Sequence, residues 1–172
     1  MLHMKQDDLK ALWARTVDAL QQRYAYLTDR PMKPVERPPA TATELNALEQ
    51  HWGFALPPSY RMLLTLFNGA ERFAYTTPLL STAEIMKRRE WEVVDELDPE
   101  LVPYVFSASS SSDLFFALDP RKPLGDGELE VVIFTSDGGE ERHPDIITFM
   151  KAYLYALEVG IERERADRDG IG

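Results

Sequence analysis

The stretch that most constrains this chain is ALPPSYRMLLTLFNGA, residues 55–70. Two adjacent prolines cannot continue a helix, because each lacks a backbone donor and restricts the residue before it. They can begin one. Pro58 suits a first helical position, where the missing N–H has no intrahelical partner to lose. Tyr60, Leu63, Leu64 and Phe67 then fall on one apolar face. Asn68 and Gly69 both tolerate positive φ, which predicts that the helix stops there in a tight turn. Phe54 and Leu56 lie on a short connector and are expected to tuck inward. None of these residues supplies a nucleophile, a general base or a phosphate cradle, so the stretch reads as architecture.

The segment before it has equally local causes. Thr41 and Glu44 have capping-box spacing. Leu45, Leu48 and Trp52 share one face of the helix they open, and Gly53 suits a left-handed stop. Further upstream, PMKPVERPPA at 31–40 is proline-rich and reads as a linker crossing the surface. It separates this body from a helix over residues 5–27. There Leu9, Leu12, Trp13, Val17, Leu20, Tyr24 and Leu27 recur at three- and four-residue steps. Asp7 and Asp8 sit at the positive end of its dipole. The stripe is expected to face the core; the alternative is that part of it holds a second copy of the chain.

In order and spacing, the segment from Thr41 to Gly69 resembles the SUKH superfamily, the proteins related to the yeast cell-wall assembly regulator. The residues that carry the resemblance are Glu49 and Gly53, then Leu56-Pro57-Pro58-Ser59-Tyr60, Leu63-Leu64 and Asn68-Gly69. The likeness continues more weakly to about Leu157. YVFSASSSSDLFFALD at 104–119 looks like the family's central hairpin, EVVIFTS at 130–136 like a following strand, and ITFMKAYL at 147–154 like its closing helix. Two departures are Leu64, where an aromatic is common, and the long amino-terminal extension.

The rest reads on its own terms. Phe73 and Tyr75 are placed on a short strand. Ser81 and Glu84 repeat capping-box spacing and open a helix to about Glu96. Within it Lys87, Arg88 and Arg89 form a basic patch that Glu90, Glu92, Asp95 and Glu96 neutralise. The runs 104–108 and 114–118 flank Ser109 to Ser112 and Asp113, a strand–turn–strand signal. A nucleophile elbow would need a Gly-flanked serine between strand and helix, which is absent. Gly125-Asp126-Gly127 and Asp137-Gly138-Gly139 are turn sequences around a strand from Leu129 to Thr135. Asp137, Glu140, Glu141, His143 and Asp145 form a dense group that matches no EF-hand loop and reads as a solvated acidic loop. The last helix spans about Pro144 to Glu158, and the charged tail beyond it reads as frayed helix, then disorder.

Composition sets outer limits. A chain of 172 residues with 44% hydrophobic residues has material for a core, and at this length roughly two-thirds of the unfolded surface can be buried. There is no cysteine, so no disulfide or thiolate metal site exists. Twenty-nine acids against nineteen bases give a net charge of −10. Such a surface repels nucleic acid and anionic lipid and attracts basic proteins. No Walker or dinucleotide glycine pattern appears, and no apolar run approaches the roughly 20 residues that span a bilayer.

These readings predict an α+β fold: a mainly antiparallel central sheet of about four to six strands flanked by helices, with an extra amino-terminal helix. The expected organisation is a helical extension over 1–30, a SUKH-like domain over 41–158 and a flexible tail over 159–172. Trp52, Gly53, Leu56, Pro57, Pro58, Tyr60, Asn68 and Gly69 form the structural signature. With no signal-like or membrane-spanning apolar run the expected location is cytoplasmic, and no motif calls for a cofactor or metal; the resemblance implies an immunity protein rather than an enzyme. It would bind a cognate, basic, nuclease-like protein toxin, and neither nucleic acid nor membrane. The alternative is a regulatory scaffold of the cell-wall-regulator type. A homodimer through the amino-terminal helix is a further expected contact. Candidate recognition acids are Glu92, Asp95, Asp98, Asp113, Asp119, Asp137, Glu140 and Glu141.

Overall fold

The computed structural model describes residues 4–28, 33–75, 77–87, 98–108 and 113–170. Among them the helices are α1 (Gln6–Thr28), α2 (Ala42–Trp52), α3 (Pro58–Leu66), α4 (Thr82–Lys87) and α5 (Ile146–Arg168). The strands are β1 (Ala70–Ala74), β2 (Thr77–Leu79), β3 (Val105–Ala108), β4 (Leu114–Asp119), β5 (Glu130–Thr135) and β6 (Glu140–His143). They fall into two compact units, Met1–Pro34 with Ile147–Gly172, and Val35–Ile146.

The Val35–Ile146 unit holds one six-stranded sheet in the order β1-β2-β3-β4-β5-β6. Every neighbouring pair is antiparallel. The chain is therefore an α+β protein with a fully antiparallel sheet and an additional amino-terminal helix. LFFALD and EVVIFT are apolar on both faces, the pattern of strands covered on both sides. On one face Leu101, Val105, Ala108, Phe115, Ala117, Val132 and Phe134 form a buried cluster, with Val102 packed against it. On the other, Phe106 lies 6.4 Å from the Phe116 ring and 5.2 Å from that of Tyr60 on α3. Each buried Leu, Val or Phe among them contributes about 1.5–3 kcal/mol by leaving water.

The signature residues build the α2–α3 corner. Thr41 and Glu44 form the expected capping box, and Gly53, at φ +81°, ends α2 with its N–H on the Glu49 carbonyl at 2.8 Å. Trp52 is buried, stacks on Phe54 and Tyr60, and donates its indole N–H to the Pro103 carbonyl at 3.0 Å. Glu49 ties the corner together: its Oε1 accepts the Leu56 N–H at 3.0 Å and the Arg61 guanidinium at 2.6 Å. Leu56 and Pro57 are buried on that connector, Pro58 opens α3, and Tyr60, Leu63 and Leu64 are all 0% exposed.

Asn68 works differently from expectation. It does not take positive φ; only Gly69 does, at +106°. The buried Asn68 amide instead donates to Thr82 Oγ1 at 3.0 Å and accepts the Thr82 N–H at 2.9 Å. It thus pins the start of α4 to the end of α3. That start also carries a capping box, with the Ser81 N–H on Glu84 at 2.8 Å and the Glu84 N–H on Ser81 Oγ at 3.2 Å. The expected continuation to Glu96 lies outside the described residues beyond Lys87, as do Ser109 to Ser112.

Three further expectations are corrected. Residues 33 and 35–39 lie at the surface as expected, but the stretch from Val35 is more than a connector, because Arg37 N–H bonds Gly69, Glu71 N–H bonds Val35, Asn68 N–H bonds Pro38 and Ala40 N–H bonds Leu64. It lies along the outer side of β1, bridging Glu36 to Ala70. Tyr75 sits in the β1–β2 turn rather than on a strand, at φ +49°. Residues 140–143, read as loop, form β6.

In the other unit α5 continues past Glu158 to Arg168. Arg15 pairs with Glu158 at 2.8 Å, and Arg23 pairs with Glu164. Arg165 reaches Gln22 and Tyr26, and Arg168 lies 4.5 Å over the Tyr26 ring. The contacts ascend together, so α1 and α5 run parallel. Gly160 makes room for the Arg23 guanidinium, which would lie 2.9 Å from an added Cβ. The charges read as a fraying tail are thus the seam of a helix pair. Leu9, Leu12, Trp13, Val17, Leu20 and Tyr24 are buried, whereas Leu27 is 61% exposed; most of the stripe is therefore already covered within one chain.

Candidate partner-binding surface

The β5–β6 hairpin carries exposed Asp137, Glu140 and Glu141 within five residues. Its turn closes with Gly138 N–H on Thr135 O and Thr135 N–H on Gly139 O, both at 3.0 Å. Gly138 takes φ +83°, the left-handed residue that such a bulged turn requires. Asp137 stiffens the turn by accepting the Thr135 hydroxyl and, at 3.2 Å, the Gly139 N–H. The Thr135 hydroxyl, followed by the backbone N–H, holds the Asp137 carboxyl below its usual pKa. Register then sets Glu140 opposite Phe134, Glu141 opposite Ile133, Arg142 opposite Val132 and His143 opposite Val131. Leu114 pairs with Thr135, and the Asp113 carbonyl accepts the Ser136 N–H at 2.9 Å. Asp113, Asp137, Glu140 and Glu141 therefore share one end of the sheet, and all four are exposed.

The two rows of β6 side chains differ in chemistry. In one, Glu141 Oε1 contacts His143 Nε2 at 2.7 Å. Burial raises the phenol pKa of Tyr75, and the Glu141 carboxylate adds to that rise. An aromatic that is 45% exposed thus lies within electrostatic reach of the strand. In the other row, Arg142 binds Glu130 at 2.7 Å, Asp119 at 3.0 Å, and Glu140. Arg121 grips Asp119 with two nitrogens at 2.8 Å each and reaches Asp98 and Glu100, also at 2.8 Å. Asp98, Glu100, Asp119, Glu130 and Glu140 thus set five negative charges against the two of Arg121 and Arg142, a surplus of three.

The eight acids singled out in the sequence are not equivalent. Asp119 is 1% exposed, and the Arg121 guanidinium leads the contacts that hold its carboxyl well below the carboxylate range. It anchors two arginines and cannot serve as a surface contact. Asp98 is half-buried against Arg121. Glu92 and Asp95 lie outside the described residues. Sequence reasoning missed Glu100, Glu130, Arg121 and Arg142, which belong to the network. The strand alternation that sets Glu130 opposite Asp119 was the available signal. It also missed Glu128, whose carboxylate accepts the Ser59 N–H at 2.9 Å and the Ser59 hydroxyl at 2.6 Å at the start of α3. Burial raises the Glu128 pKa, the Ser59 bonds oppose the rise, and Asp145 and Asp126 add to it.

Among the described residues, no three His, Asp or Glu side chains are grouped so as to hold a metal ion. No described helix is long and apolar enough to cross a membrane. The described residues thus form an antiparallel α+β domain with a net-negative, ion-paired face. The chain matches the SMI1 / KNR4 family (SUKH-1) over residues 39–151 and belongs to that family. No curated protein matches it.

Proposed function

We propose that this protein is an immunity protein that binds and neutralises a cognate, basic, nuclease-like toxin of a bacterial polymorphic toxin system, acting in the cytoplasm without a catalytic step, cofactor or metal. Family membership and the charge of −10 support this reading. The observation that carries it is the five-to-two carboxylate network, Glu140 among its members, beside exposed Asp113, Asp137 and Glu141. A nuclease must be basic to hold phosphate, so an acidic surface can occupy the groove meant for its substrate. In this proposal those four acids make the contacts and Asp98 lies at the rim. Glu92 and Asp95 join them on the sequence reading, and Asp119 acts by holding Arg121 and Arg142.

Co-expression with a candidate toxin domain encoded beside this protein tests the reading. Cells are expected to survive only when the protein is present. Asp113→Asn with Glu141→Gln should shift stability by less than about 0.5 kcal/mol, as surface changes usually do, yet slow association and weaken its salt dependence. Equal killing with and without the protein would refute the proposal. A regulatory scaffold is the other reading that the family supports. It predicts several partners and no protection.

A further inference from the structure

β6 is the last strand of the sheet, and among the described residues no segment is bonded along its outer side. The turn bond from Thr135 N–H to Gly139 O sets the phase of the ladder. Antiparallel pairs alternate between bonded and non-bonded. Phe134–Glu140 and Val132–Arg142 are therefore non-bonded pairs, and Ile133–Glu141 and Val131–His143 are bonded ones. The peptide N–H and C=O groups of Glu140 and Arg142 consequently point away from β5, toward the open side.

We infer that this edge receives an extended, basic segment of a protein partner as a seventh, antiparallel strand. This rests on the basic-partner reading above and specifies how that partner is held. Backbone bonds to Glu140 and Arg142 would supply the pairing, and Glu141 with the network's surplus of three negative charges, which includes Glu140, would select lysine and arginine.

A second copy of β6 is the weaker occupant: even the register centred on Glu141, which opposes each Glu140 to an Arg142, sets Glu141 against its own copy. Two antiparallel strands must turn their peptide groups toward each other, so a twofold axis falls on a residue rather than between two. Placed on Glu140, Glu141 or Arg142, the axis sets a charge against its own copy. Placed on His143, it opposes Arg142 to Pro144, which has no N–H. Charged edges of this kind suppress self-association.

The test uses the full chain and a short synthetic peptide alternating lysine and valine, with its glutamate–valine counterpart as control, at low ionic strength. Amide hydrogen exchange read by NMR should show new protection at Glu140 and Arg142. Glu141 and His143, already bonded to β5, should not change. Glu140→Pro removes the outward N–H without touching the ladder and should weaken the lysine peptide about tenfold, with an unchanged circular dichroism spectrum. Should that variant misfold, the pair Glu140→Lys and Glu141→Lys serves instead, with the same expected weakening. The inference is overturned by absent protection at Glu140 and Arg142, by equal protection from the glutamate peptide, or by undiminished binding to the folded variants. Protection at the edge without survival in the toxin assay would sink the immunity reading alone. Survival that the folded Glu140→Pro variant retains in full would sink the edge alone.

Discussion

Tyr60 offers the sharpest test of the energetic reasoning. Its ring is 0% exposed, 5.9 Å from the Trp52 ring and 5.2 Å from that of Phe106. Its hydroxyl is buried with no hydrogen-bond partner among the described residues, and burial pushes its pKa far above the tyrosine range. A buried hydroxyl without a partner costs about 1–3 kcal/mol. Phenylalanine keeps the ring contacts and removes that cost, so Tyr60→Phe should stabilise the protein by about 1 kcal/mol. Near this chain length the gain corresponds to about 2–4 °C in Tm. Tyr60→Ala, which also empties the ring's site, should lose about 3–5 kcal/mol. The sign with pH follows from the raised pKa. The unfolded phenol ionises near pH 10 while the folded one stays neutral, so wild-type stability should fall above about pH 10, and the Phe variant should fall less. Urea unfolding followed by circular dichroism reads all three, as midpoint shifts at constant slope. A Tyr60→Phe variant less stable than wild type by about 1 kcal/mol would mean that the hydroxyl makes a bond, which refutes the unpaired-hydroxyl assignment.

Two further outcomes follow from named contacts. Asp119→Asn removes the charge that Arg121 and Arg142 share and should cost about 2–3 kcal/mol at neutral pH. Because the Asp119 pKa is depressed, its contribution is present above about pH 4 and lost as pH falls, so the Asn variant's acid profile should be flatter; a parallel profile would exclude the role. Gly69→Ala would set a Cβ 3.1 Å from both the Leu79 carbonyl and the Ser81 nitrogen at φ +106°. It should cost about 2–3 kcal/mol in thermal unfolding, and a neutral result would exclude the close approach.

The parts legible in the sequence were those with local causes. Thr41 with Glu44, Gly53, Pro58 and the helical spacing of Tyr60, Leu63 and Leu64 each needed only a few neighbours to be read. What escaped depends on residues far apart in the chain. The Asn68 amide is explained by Thr82, the proline stretch by Gly69 and Glu71, and the helix beyond Glu158 by Arg15 and Arg23. Strand β6 escaped because EERH has no apolar alternation; its pairing with β5 is set by the Asp137-Gly138-Gly139 turn. Of the recognition acids, charge alone could not separate Asp119 from Asp113, since one is enclosed by arginines and the other lies beside a turn.

The segment from Val35 to Ala40 covers the β1 margin of the sheet with a run that prolines interrupt, which disfavours extension of the ladder past β1. Polymerisation by stacking requires two receptive sides on every unit. With one margin covered and the other lined by charge, strand-by-strand growth of the sheet has at most one side to start from.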